Sequence, residues 1–143
     1  MGTSYEKDIV LWANEQAELL RKGMVSELDI EHIAEEIEDV GRSEKNELAS
    51  RMALLLAHLL KWKYQPGFRS SSWQRTIKEQ RNAIAKRLDR TPSLVPVLRD
   101  PGWQSEIWSD AVSKAIDETG LDVFPEVFLW SIDEVLDPMF FPE

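Results

Sequence analysis

Cysteine is absent from the 143 residues. That excludes a disulfide framework and any thiolate metal site, and it suits a reducing cytoplasm. Histidine is almost as scarce, with only His32 and His58. No glycine-rich phosphate loop, internal repeat or low-complexity tract is present. No apolar run approaches the roughly 20 residues that a bilayer-spanning helix needs. The N-terminal MGTSYEKDIVLW has no basic segment followed by an apolar one, so no signal peptide is expected. A cytoplasmic protein without membrane contact is the expectation. The net charge of −9 argues against general binding to duplex nucleic acid.

What the chain does have is helical periodicity. Leu48, Met52, Leu55, Leu59 and Trp62 recur at spacings of four, three, four and three, which is one helical stripe. Ala53, Leu56 and Leu60 widen it, so this helix is expected to be contacted on most of its circumference. The stripe extends backwards in phase through Ile30, Ile33, Ile37 and Val40, across Gly41. A true break would have no reason to preserve phase, so one long helix over about 27–64 is expected, with Gly41 as its one point of kinking. Before it, Tyr5 to Lys22 reads as a helix capped by Ser4 and ended by Gly23. After it, Tyr64-Gln65-Pro66-Gly67 is a stop. A third helix spans Trp73 to about Arg90. Thr91-Pro92 restarts a helix that carries Leu94, Val95 and Leu98. Asp100-Pro101-Gly102 interrupts that helix, and a second part runs from Trp103 to about Thr119. Ser131 and Glu134 form a capping box for a short helix over Ile132 to Leu136. The expected fold is a single all-α domain over residues 1–143. It is an antiparallel bundle of four main helices, with the long helix central and an irregular C-terminal tail packed across it. A chain of this size buries about 68–70% of its unfolded surface, enough for a core without staples.

Charge is unevenly spread. Residues 1–50 carry 5 basic and 13 acidic side chains, residues 51–90 carry 10 and 2, and residues 91–143 carry 2 and 11. Mutual neutralisation of packed segments explains this most simply, and a basic groove for an anionic ligand is the functional alternative.

An ordered set of segments carries a resemblance. YEKDIVLWANEQAELL (Tyr5–Leu20) is followed by ELDIEHIAEEIEDVGRSEKNEL (Glu27–Leu48) and LLLAHLLKWKYQP (Leu54–Pro66). Then come RSSSWQRTIKEQR (Arg69–Arg81), TPSL (Thr91–Leu94), and ETGL and FPE near the end. Across almost its whole length the chain resembles the bacterial "domain of unknown function 29" family. The resemblance implies a small all-helical protein and brings no activity or catalytic residue with it. One departure is Asp100-Pro101-Gly102, which interrupts a region that usually reads as unbroken helix.

Three constellations could carry chemistry. Glu31, His32, Glu35, Glu36, Glu38 and Asp39 have one-turn ligand spacings, but the inward residues at that level are Ile30, Ile33 and Ile37. A solvated acidic face is therefore expected, and no metal or cofactor. The two histidines lie roughly 39 Å apart along a continuous helix, too far to share a ligand. His58 lies at the edge of the stripe, and hairpin levels bring it toward Lys61, Arg75, Glu79 and Glu106. Such a polar cluster either fixes helix register or, with a carboxylate beside the imidazole, supplies a general acid–base pair. Arg69, Ser71, Ser72, Trp73, Arg75 and Arg81 could hold an anion at a helix start or stack a single-stranded base. The plainer reading is a capping loop with aromatic anchors. Trp12, Trp62, Trp73 and Trp108 read as core, and Trp130, Met139, Phe140 and Phe141 either lace the tail or form an exposed patch. Chemistry-bearing residues are sparse and apolar and charged faces plentiful. The leading expectation is thus a non-enzymatic helical interaction module that binds a protein partner or itself. The alternatives are an anion or single-strand binder through Arg69–Arg81 and an enzyme centred on His58.

Overall fold

The computed structural model describes residues 2–143. The fold is all-α, and no strand occurs among the described residues. In chain order it comprises α1 (Ile9–Arg21), a 3₁₀ turn (Val25–Glu27), α2 (Ile30–Tyr64) and a second 3₁₀ turn (Pro66–Phe68). These are followed by α3 (Ser71–Arg90), a 3₁₀ stretch (Pro92–Arg99), α4 (Pro101–Thr119) and α5 (Ile132–Leu136). The long central helix is α2, and it passes through Gly41 without interruption. Two compact units divide the chain, residues up to Glu44 and Lys45–Glu143, and α2 contributes to both.

The first unit is a helical hairpin. Asp8, rather than Ser4, caps α1, accepting a hydrogen bond from the Leu11 N–H at 3.1 Å. Ser4 instead closes the preceding turn with its carbonyl. A capping side chain satisfies one of the orphan N–H groups of the first turn, which is why the helix starts after Asp8. Gly23 takes a left-handed φ of 71° just past the end of α1, a conformation that costs glycine nothing. Tyr5 bonds Glu36, and Trp12 and Gln16 both bond Asp29, so α1 and the start of α2 run antiparallel.

One expectation is overturned here. The stripe does not stay covered along the whole of α2. Ile30, Ile37 and Val40 are 63%, 67% and 68% exposed, while His32 and Glu36 are half-buried against residues of the other arm of the hairpin. Periodicity locates an apolar stripe but does not say which neighbour covers it. The donors of Tyr5 and Trp12 need acceptors, and Glu36 and Asp29 on one face of α2 supply them. That face meets α1; of the stripe beside it Ile33 is half-buried, and Ile30, Ile37 and Val40 are left open.

The second unit holds the main core. From Leu48 to Lys61, α2 is buried on nearly all sides. Ile77 and Ile84 of α3, Leu94 and Leu98, and Ile107, Trp108, Ala111 and Ala115 of α4 pack on it. Each fully buried Leu or Ile contributes about 1.5–3 kcal/mol. Arg87–Glu47 and Arg51–Gln80 contacts set α3 antiparallel to α2. Residues 92–99 form a 3₁₀ stretch rather than an α-helix, because Pro96 lies inside it and has no N–H to donate. Asp100 then caps α4, Gly120 ends it at a left-handed φ of 73°, and the Ser131–Glu134 capping box starts α5. Trp130 meets Trp108 and Phe140 edge-on, and Phe141 packs on Trp62, so the tail is laced to this unit by its rings. Met139 is left exposed.

Candidate functional site

The second unit places the sequence-derived candidates first. His58 is buried, and its Nδ1–H donates to the Leu54 carbonyl one turn back at 3.0 Å. Burial pushes the imidazole below its ordinary pKa, because the charged form loses its water. Lys61 is buried too. Its ammonium lies 2.5 Å from Glu118 and 5.1 Å from the Trp73 ring centroid. The bond from Lys61 holds the Glu118 carboxyl below the usual carboxylate range. The acid brought to His58 and Lys61 is therefore Glu118, whereas Arg75, Glu79 and Glu106 lie exposed on their helices. Levels counted back from a hairpin at Thr91 assume that helix resumes at once. The 3₁₀ stretch and the Asp100 restart move α4 three turns along, which brings its last turn to Lys61.

Two of the three arginines of the anion-binding candidate, Arg69 and Arg81, are engaged by main chain, while Arg75 lies exposed. Arg81 is buried, and its Nε donates to the Val135 carbonyl at 2.8 Å. Its Nη2 reaches Phe140 at 2.7 Å and its Nη1 reaches Pro138 at 3.4 Å. Its plane lies over the Phe141 ring. Burial lowers its pKa from the ordinary guanidinium value, with Asp137 opposing. Arg69 donates to the Trp62 carbonyl at 2.8 Å and reaches Pro142 at 3.5 Å. Ser70, not Ser71 or Ser72, caps α3 by accepting from the Trp73 N–H. Between α3 and the tail lies a groove of about 350 Å³ lined by Gln74, Ile77, Lys78, Arg81, Asn82, Pro138 and Phe141. Carbonyl oxygens of a tail carry no residue-type signal, so this use of the arginines was not legible in the sequence.

The first unit has a constellation that the sequence reading missed. Asp29 Oδ2 accepts from Trp12 Nε1 at 2.9 Å and from His32 Nδ1 at 2.7 Å, and the Asp29 N–H donates to Gln16 Oε1 at 2.8 Å. The Tyr5 ring stacks on His32, 4.2 Å apart and 10° from parallel, and meets Trp12 edge-on at 4.8 Å. The hydrogen bond that His32 donates to Asp29 raises the His32 pKa, and the same bond lowers that of Asp29. Tyr5 is pushed up to about 12 by its bond to Glu36. The signal was Trp12 and Gln16 four apart facing Asp29 and His32 three apart. Chemically this is a carboxylate–imidazole pair, but His32 Nε2 faces Glu6 at 3.5 Å. Among the described residues no group of three or more His, Asp or Glu is placed to hold a metal ion. The arrangement closes the hairpin.

A model of one family, described as "Domain of unknown function DUF29", matches residues 4–141. The chain belongs to the DUF29 family. No curated protein and no solved structure matches it. No described helix of this DUF29 chain is long and apolar enough to cross a membrane; α2 has the length but is strongly charged in its first half.

The hairpin that the Asp29 network closes also has an apolar side. Among the described residues, nine of the fifteen large hydrophobics that are exposed fall before Glu44. On α1, Ile9, Val10 and Leu20 lie to one side of the buried Trp12–Gln16–Leu19 line. On α2, Ile30, Ile37 and Val40 lie to one side of the Asp29–His32–Glu36 line. Because the two arms are antiparallel and each stripe is offset in the same rotational sense from its inner line, both stripes open on the same side of the hairpin.

Proposed function

We propose that this DUF29 chain is a non-enzymatic interaction module, a single folding domain whose docking surface is the apolar side of the α1–α2 hairpin. The observation that carries this reading is the exposure of Ile30, Ile37 and Val40 on a hairpin whose buried residues, among the described ones, are Trp12, Gln16 and Leu19. A helix pair must bury its apolar stripe against another layer. Exposed apolar patches above a few hundred Å² mark interaction surfaces. The alternatives gain less support: Arg69 and Arg81 are already engaged by tail carbonyls, and His58 is buried with its Nδ1 spent on Leu54.

The test is Ile37→Asp in the full chain, with unfolding measured by urea at protein concentrations too low for association. A docking surface is open in the free chain. The substitution is then expected to change the unfolding free energy by no more than about 0.5 kcal/mol. A loss of about 2 kcal/mol or more would show that Ile37 is core and refute the reading.

A further inference from the structure

We infer that the groove between α3 and the tail binds a small carboxylic acid with an apolar body, its carboxylate held by Arg81 and Lys78 and its body lying on Ile77, Pro138 and Phe141. All of the lining residues belong to the second unit, so the site is tested independently of the hairpin face.

The cation is the first support. Arg81 is 5% exposed, and among the described residues no carboxylate forms an ion pair with it. A charge loses its water on burial, so buried charges are ordinarily paired. Three tail carbonyls stand in for that water, but they bring dipoles and no net charge. Asp137 is the acid whose charge favours the guanidinium, and it already accepts from the Met139 N–H at 2.9 Å. A guanidinium has five N–H groups. Nε, Nη1 and Nη2 each donate once to the main chain, which leaves one N–H on each Nη. Such a pair is the fork that takes both oxygens of a carboxylate.

The lining is the second support. At about 350 Å³ the groove falls at the small end of the range for small-molecule sites. Ile77, Pro138 and Phe141 give it apolar walls, and Arg81 lies at them with its plane over the Phe141 ring. Gln74, Lys78 and Asn82 fall four apart on α3, so they share one side of the helix and form the polar edge. None of the three side chains has a hydrogen bond or ion pair with another described residue. Two of the seven lining residues are cations and none is an acid, in a chain of net charge −9. That selects an anion. Inorganic phosphate would use the cations and leave the apolar walls wet. A nucleic-acid strand needs a groove of cations that tracks its backbone, and this one offers two. An apolar carboxylic acid uses both parts of the lining.

The experiment is a ¹H–¹⁵N NMR titration of the full chain at neutral pH with 3-phenylpropionate, hexanoate, 3-phenylpropionamide and inorganic phosphate. At least one of the two acids is expected to saturate with a dissociation constant of about 1 mM or tighter. It should move the side-chain amide signals of Gln74 and Asn82. The amide keeps the body without the charge, and phosphate keeps charge without the body. Each should bind about 10-fold more weakly or worse. Lys78→Glu should weaken the acid by about 10-fold, and Lys78→Gln should act in the same direction, both with unchanged melting curves because Lys78 is exposed. Lys86→Glu makes the same charge change at an exposed position of α3 outside the groove and should leave the affinity within about twofold. No saturation by either acid below about 10 mM overturns the inference. So does binding that leaves the Gln74 and Asn82 signals in place, or that Lys86→Glu weakens as much as Lys78→Glu. An amide as tight as its acid overturns the carboxylate, and phosphate as tight as the acids overturns the apolar body.

Discussion

Replacing Arg81 by methionine tests how the tail is held. The guanidinium donates to Val135 at 2.8 Å and Phe140 at 2.7 Å, with a longer third contact to Pro138 at 3.4 Å. A hydrogen bond involving a charged group contributes about 1.5–3 kcal/mol, so the two short bonds together contribute about 3–6 kcal/mol. Methionine keeps much of the apolar stem and also removes the cost of burying a cation, which recovers part of that sum. The expected net loss is about 2–4 kcal/mol, or a fall in melting temperature of about 10 °C for a chain of this size. Thermal melts by far-UV circular dichroism measure it, and limited chymotrypsin digestion reads the tail directly through cleavage near Phe140. Arg81→Lys should fall between the two, since an ammonium is a point donor without the fork that spans separated carbonyls. An Arg81→Met protein within about 0.5 kcal/mol of the wild type, its tail equally resistant, would refute the clamp.

The two histidines should titrate on opposite sides of 6.5 in an NMR pH series, His32 above and His58 below. His32 has a folded pKa above its unfolded one. Its stabilisation is complete below about 6.5 and is lost as pH rises through the folded value. His58 has a depressed folded pKa, so the unfolded chain takes up the proton first and stability falls as pH drops below about 6.5. The reverse order of the two signals would contradict both environments. Gly41→Ala adds a methyl group into open space on a helical backbone, and a melting curve should show a gain of about 0.5–1 kcal/mol; a loss would mean that α2 breaks there. Glu118→Gln leaves the Lys61 ammonium uncompensated and should cost about 1–2 kcal/mol by urea unfolding, the half-exposed carboxylate keeping the figure modest. Lys61→Met should stay within about 1 kcal/mol of the wild type, because it removes the buried charge together with its need for a partner. Equal large losses from both would show a strongly stabilising pair instead.

The parts of this fold that were legible in the sequence are those set by local rules. The stripe from Leu48 to Trp62, its phase across Gly41, the Gly23 and Gly120 stops and the Ser131–Glu134 box all follow from spacing and capping within a few residues. What was not legible depends on neighbours distant in sequence. The Ile30–Val40 stripe pointed inward by periodicity, but the bonding needs of Tyr5 and Trp12 turned the adjacent polar face toward α1. Glu118 stands where a reversal at Thr91 would set Glu106, because residues 92–99 form a separate 3₁₀ stretch and α4 begins only after Asp100. Beside the plainer capping-loop reading, the sequence offers Arg69 and Arg81 as candidate anion ligands; in the fold, main-chain oxygens of Trp62 and of the tail accept from them.

Trp12 is the only tryptophan before Glu44; Trp62, Trp73, Trp103, Trp108 and Trp130 all belong to the second unit. Its ring lies 6.3 Å from that of His32 and bonds the same carboxylate. Imidazolium quenches indole emission, so the hairpin carries a built-in optical probe whose brightness follows the protonation of one histidine. With the other five tryptophans changed to phenylalanine, the light left over would come from the hairpin alone.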